Sequence, residues 1–327
     1  MTQFVPIGVG AGLVSALLSA VVMQGTALAL LLYLLAPVPI LVAALGWDHR
    51  AGLVGAFVGA IALAVALSPV SGLGFALGSA LPAWWLAYLA MLGRQAPDGT
   101  MEWYPLGRLL VWVAGISALT YLIAAAIPEF DYAVYEERVR EATDTILRIQ
   151  TGTPEGVPLP ATGDVTGAEL TAMLARIVPI FAAQGFTLLL VLYLWLGAKI
   201  VSISGRLARP WPSIPQTAMP QSAVLALLGS AAVAALLGGF VGLFALAFAG
   251  ALAMAFGLQG LAAIHHVTMG RNGRTLILIG TYLLIFFSQG LVLAALVLGG
   301  IADTVLGLRA RYLASRPPTI KRNPPKE

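Results

Sequence analysis

The sequence predicts an all-α protein, a polytopic bundle of transmembrane helices with an amphipathic helix outside the bilayer. Three observations predict it. Of 327 residues, 59% are hydrophobic and only 10% are charged, against about 25% charged in soluble domains. Apolar runs of about 20 residues, the length needed to cross some 30 Å of hydrocarbon, recur along the chain. The basic residues fall in alternate connecting segments, the pattern that orients helices in a membrane. A soluble fold could not hide this much apolar surface. In lipid the backbone must satisfy its own hydrogen bonds, so the spans are helices.

Taken in order, the expected spans cover residues 6–24, 27–45, 51–69, 73–92, 108–127, 178–200, 222–238 and 240–263. These are eight, followed by a long, broken or re-entrant helix over 275–302. Met1-Thr2-Gln3 lacks a basic leader and no charge appears before Asp48, so the first segment is expected to be a retained span. The stretch from Gln221 to Ile264 is too long for one crossing, and Gly238-Gly239 is its expected break. Ser288-Gln289-Gly290 is the expected break in the last region, which would return the tail to the starting side.

Orientation follows from Lys and Arg. With the N-terminus in the cytoplasm, inner loops hold Arg50, then Arg94 and Arg108, then Lys199, Arg206 and Arg209, then Arg271 and Arg274. The turns near Gly25, Gly72 and Gly238 hold no basic residue. The expected location is the bacterial cytoplasmic (inner) membrane, with residues 128–177 outside. The organisation is a five-span bundle over 1–127, an extracytoplasmic segment over 128–177, a second bundle over 178–308 and a basic tail over 309–327.

Residues 128–177 carry nine acids and four arginines. Tyr132, Tyr135, Val139, Ala142, Ile146 and Ile149 recur at spacings of three and four, which is one face of a helix over 131–150. Glu136 with Arg140, and Asp144 with Arg148, are i,i+4 pairs on its wet side. Thr166 and Glu169 match a capping box opening a helix near Gly167, with Pro179 expected to kink it.

The chemistry-bearing candidates are sparse. Pro37, Pro39, Pro69 and Pro82 free backbone carbonyls in or near the bilayer, an arrangement found where broken helices line a cavity or where a span simply bends. Trp84, Trp85 and Tyr88 offer an aromatic wall, or plain core and lipid contact. Polar residues inside a membrane are costly and mark function. Gln24, Gln184, Gln259, Thr281, Tyr282, Ser288, Gln289 and Asp303 are such residues. Asp303 is the only acid of the last apolar region. It would take a proton or cation, or pair with an arginine from another helix, or else be a helix-end acid near the tail that pairs locally or faces water. The ligand-binding candidates are Pro37, Pro39, Trp84, Trp85, Tyr88, Gln259, Gln289 and Asp303. His265 and His266 are adjacent, which suits joint metal ligation poorly, so no metal is expected. Glycines four apart (Gly8/Gly12, Gly55/Gly59, Gly74/Gly78 and Gly238/Gly242) favour close helix packing, inside the chain or between copies. There is no cysteine, which excludes thiolate chemistry and disulfides. No nucleotide-binding, zinc-helix or nucleophile-elbow motif is present.

Two stretches carry a family resemblance. One is Ala36-Pro37-Val38-Pro39-Ile40, Ala44-Leu45-Gly46 and Arg50-Ala51-Gly52-Leu53-Val54-Gly55. The other is Gly257-Leu258-Gln259-Gly260-Leu261 with Leu298-Gly299-Gly300-Ile301-Ala302-Asp303, ending at Leu308-Arg309. Together they resemble the YybS-like family of bacterial multi-pass membrane proteins, whose function is undefined. The first stretch is also distantly similar to the substrate-capture subunits of energy-coupling-factor transporters. That resemblance implies fold only, because no binding motif matches.

The expected function is non-enzymatic: capture or movement of a small solute, with no cofactor and no nucleic acid. The partners would be the bilayer, a small ligand, and a partner membrane protein or energising subunit. The alternative is an envelope scaffold that docks partners through the external helix and the cytoplasmic tail.

Overall fold

A computed structural model describes residues 3–127, 130–288 and 290–314. It is all-α apart from one small hairpin. Helix α1 (Phe4–Ala20) tightens into a 3₁₀ turn (Val21–Gln24) and stops at Gly25, whose φ of 64° is left-handed. Thr26 then caps α2 (Ala27–Leu34) by accepting from the Ala29 amide. The next span breaks at residues 35–37 before α3 (Val38–Gly46), as prolines 37 and 39 cannot donate to a continuous helix. Asp48 caps α4 (His49–Ala66), and Ser68 caps α5 (Pro69–Phe75). A π-helical stretch (Ala76–Ala80) joins α5 to α6 (Leu81–Ala90) just before Pro82, whose missing N–H leaves the ladder short of a donor.

An antiparallel hairpin follows, β1 (Gly93–Gln95) and β2 (Met101–Trp103), turned at Gly99 with φ 82°. Three-residue strands are too short to show an alternating pattern, so the sequence reading contains no trace of them. Asp98 accepts from the Thr100 hydroxyl and amide in this turn, and these bonds hold its carboxyl below the usual range.

Helix α7 (Leu106–Ala126) leads to α8 (Tyr132–Thr151), capped by Asp131 and ended by left-handed Gly152. Arg148 pairs with Asp144 as expected and also donates to the Pro154 and Val157 carbonyls, fastening the loop that follows. Arg140 differs from expectation: it pairs with Glu137, at i,i+3, rather than with Glu136. Both spacings are neighbours on a helix surface, so sequence does not separate them. The capping box of Thr166 and Glu169 forms in full and opens α9 (Gly167–Ile203). At 37 residues α9 is about 55 Å long. Its hydrocarbon-crossing part therefore needs little more than half of it.

Beyond a loop containing the 3₁₀ turn Ile214–Gln216 lie α10 (Gln221–Leu236) and α11 (Gly239–Val267), divided at Gly238-Gly239. The last apolar region splits into α12 (Arg274–Phe287) and α13 (Leu291–Leu306), and a short α14 (Leu308–Ala314) follows. Among the described residues, seven segments are long and apolar enough to cross a membrane. The expected span over 222–238 is α10, a helix of 16 residues that begins at Gln221 and ends at Leu236, ahead of the glycine pair, and it is short of a full crossing. Helices α12 and α13 are also short of a full crossing.

Close backbone approach explains two of the four glycine pairs. A Cβ on Gly8 would lie 2.5 Å from the Ala51 carbonyl oxygen, and one on Gly12 would lie 2.5 Å from that of Gly55. Helices α1 and α4 therefore meet backbone to backbone inside one chain, which is the packing small residues allow in lipid. Gly74 and Gly238 face open space. A second close crossing joins α11 to α13: a Cβ on Gly260 would lie 2.1 Å from the Leu296 oxygen, and one on Gly300 2.1 Å from that of Phe256. One core forms among α1, α3–α7 and α9 around Ile40, Leu41 and Leu86, and another around Leu252 and Phe256 of α11. Large apolar side chains such as Val65 and Phe286 remain 84% and 79% exposed, as lipid-facing residues do.

Candidate functional site

The polar candidates Gln259 and Asp303 come together, and they do so in a closed knot. Gln259 is fully buried on α11. Its amide donates to the Asp303 carboxylate at 2.8 Å, the Thr304 hydroxyl at 2.9 Å and the Gly300 carbonyl at 3.2 Å. Its oxygen accepts from the Met219 amide at 2.8 Å. Asp303 pairs with Arg309 at 2.6 Å, and the two side chains are only 5% and 11% exposed. Arg309 also donates to the Pro215 and Thr217 carbonyls, and its backbone N–H reaches Asp303. Asp303 thus takes the local arginine. Arg309, the first residue of the expected basic tail, is folded into the protein. Burying two charges is tolerable because every one of these groups is paired.

The aromatic candidates form a separate cluster. Trp84, Trp85 and Tyr88 of α6 lie with ring centroids 5.5–6.4 Å apart. Tyr88 meets His49 at 5.1 Å, and Trp85 meets Trp112 of α7 at 5.5 Å in a T shape. These rings pack on the first core and fill the space between α4, α6 and α7. The Trp84 indole nitrogen is buried with no hydrogen-bond partner among the described residues. Arg209 donates to the Ala90 and Tyr104 carbonyls nearby, and burial lowers its pKa. Arg206 stacks 4.5 Å over Trp47 and Lys199 5.2 Å over Trp211. Pro37 and Pro39 sit at the start of α3, where they break the second span. Gln289 lies outside the described residues. His265 bonds Tyr282 across the α11–α12 corner at 2.9 Å. No group of three or more metal-ligating side chains is assembled among the described residues.

The open space lies elsewhere. A cleft of about 570 Å³, open on one side, lies between α8, α9, the end of α10 and the start of α11. Tyr132, Tyr135, Glu136, Glu137, Val139 and Arg140 line it from α8. Arg176 and Pro179 line it from α9, and Leu237, Gly242, Leu243 and Leu246 close the opposite side. Its size is that of small-molecule sites. Helix α8 is held over it by Tyr135, which is buried and shares a 2.9 Å hydrogen bond with the Tyr121 hydroxyl of α7. Burial first, and then that bond, raise the Tyr135 pKa. Tyr132, Tyr135 and Phe240 pack as an aromatic group at the same junction.

None of the seven ligand-binding candidates among the described residues lines this cavity. The 131–150 stripe pointed to its roof, but nothing in the sequence marks Arg176, Leu243 or Leu246 as wall residues. They are ordinary members of apolar helices until helix α8 leans over them.

No curated protein and no solved structure matches the chain. Residues 13–304 match DUF2232, described as a predicted membrane protein. With seven apolar helices of membrane-crossing length and a family match over most of its length, the chain belongs to the DUF2232 family of membrane proteins.

Proposed function

We propose that the protein is a non-catalytic integral membrane protein that captures, or helps to move, a small solute. The observation that carries this reading is the cavity of about 570 Å³ roofed by α8. A roof held by a tyrosine pair and a small aromatic junction, over walls of mixed polarity, is the arrangement expected of a lid. In this reading, which the distribution of Lys and Arg supports, α8 lies on the outer face of a bacterial cytoplasmic membrane, with the N-terminus inside. Movement against a gradient would require an energising partner, since the sequence carries no nucleotide-binding motif.

A second reading rests on a different observation. Ile146 and Ile149, the far end of the α8 stripe, are 55% and 76% exposed. A scaffold would dock a partner there. Photo-crosslinking with benzoylphenylalanine at Tyr135 and at Ile149 separates the two. The lid reading expects Tyr135 crosslinks inside the chain, to α7 or α11, and no dominant protein adduct at Ile149. A single adduct to another protein from both positions would overturn it in favour of the scaffold.

A further inference from the structure

We propose that the cavity beneath α8 takes an apolar zwitterion, a molecule with one cationic and one anionic group on a hydrocarbon body. This rests on the solute-capture reading and names its substrate class. The lining holds four charged side chains, Glu136, Glu137 and Arg140 from α8 and Arg176 from α9, two of each sign. Glu137 and Arg140 neutralise each other at 2.8 Å. Glu136 and Arg176 have no ion pair or hydrogen bond among the described residues. One acid and one base, on different helices, are therefore left facing the same space.

The rest of the lining decides what they can hold. Pro179, Leu237, Leu243 and Leu246 give an apolar wall. A fully polar solute would lose hydration against that wall and recover nothing. A lining with equal numbers of each charge gives no net field for a simple anion or a simple cation. A zwitterion satisfies both groups at once: its ammonium meets Glu136, its carboxylate or phosphate meets the Arg176 guanidinium, and its hydrocarbon lies on the leucines. Two sources share this chemistry, a free apolar amino acid and a zwitterionic phospholipid.

The test uses the full chain in non-ionic detergent and in lipid nanodiscs. Binding of radiolabelled leucine is measured by equilibrium dialysis, and retention of phosphatidylethanolamine by native mass spectrometry. One of the two binds saturably, which also identifies the source. E136Q and R176Q each weaken it about tenfold, as expected for losing one charged hydrogen bond, while E102Q, on the β hairpin and outside the cavity lining, changes it less than about threefold. Leucinamide and 4-methylpentanoate, which each keep one charge, compete at least about tenfold more weakly than leucine, a readout that needs no variant. The proposal is overturned if neither zwitterion binds, if the one-charge analogues compete equally, if phosphatidylglycerol is retained as well as phosphatidylethanolamine, or if both variants bind normally. Should it fail while Tyr135 crosslinks stay inside the chain, solute capture stands with a different substrate. Crosslinks to another protein would remove the capture reading itself.

Discussion

The knot at Gln259 and the cavity under α8 are built from the same kinds of side chain and do opposite things. In the knot, Gln259, Asp303, Thr304 and Arg309 use their polar atoms on one another and on the carbonyls of residues 215 and 217. In the cavity, one of two acid–base pairs closes and the other does not. Satisfied buried polar groups rigidify a structure, because breaking any one leaves another unpaired. Uncommitted charges at an open space cost little while water reaches them and remain available to a ligand. The knot therefore pins α11, α13 and α14 to the 214–219 segment, and the cavity is where the molecule has chemistry to spare.

That contrast can be broken at either end, starting with the largest effect. Asp303→Ala leaves the Arg309 guanidinium buried without its acid, and should destabilise by about 3 kcal/mol. A fall in the thermal unfolding midpoint in detergent measures it, and an unchanged midpoint would mean that the knot contributes nothing. Gly300→Leu next to it drives a side chain into the Phe256 backbone, since even a Cβ would sit 2.1 Å from its oxygen. About 2–3 kcal/mol of overpacking is expected, with α13 displaced from α11. Cysteine pairs introduced across that crossing should then cease to crosslink.

On the cavity side the effects are smaller. Tyr135→Phe removes the bond to Tyr121 and should cost about 1 kcal/mol, with faster hydrogen exchange confined to α8. The same contact carries a pH signature. Burial and the Tyr121 bond raise the Tyr135 pKa, so its contribution is complete below the free tyrosine value of about 10 and fades as pH rises through the folded value. Labelling of an Ala175→Cys variant under α8, taken relative to an exposed cysteine that corrects for the thiol's own ionisation, should increase at alkaline pH, and that relative increase should shrink in the added presence of Tyr135→Phe. Smallest of all, Arg140→Gln breaks an exposed pair and should shift stability by no more than about 0.5 kcal/mol. A large loss there would show the rim to be as interlocked as the knot.

Much of the fold was legible in the amino-acid sequence. Gly238-Gly239 divides two helices where a run too long for one crossing had to break. Thr166 and Glu169 open α9, and the spacing of Tyr132 to Ile149 gives α8, because both rest on contacts three and four residues apart. The hairpin over 93–103 was not legible, its strands being too short to show a period. The early end of α10 at Leu236, two residues short of the expected 238, was not legible either. Of the site candidates, Gln259 and Asp303 were picked for the right reason, their cost in lipid, but the partners that offset that cost come from residues 215–219 and 309.

The membrane character, the helical periods, the caps and the glycine breaks are properties of neighbouring residues and of composition, so the chain determines them locally. Whether a polar side chain ends up satisfied or vacant depends on which distant backbone reaches it. Gln259 is closed because Met219, 40 positions away, donates to it. Glu136 and Arg176 stay open because no described side chain or backbone group reaches them across the cavity that α8 and α9 line. Distances of that kind exist only once the helices have packed, and the tertiary structure alone decides them.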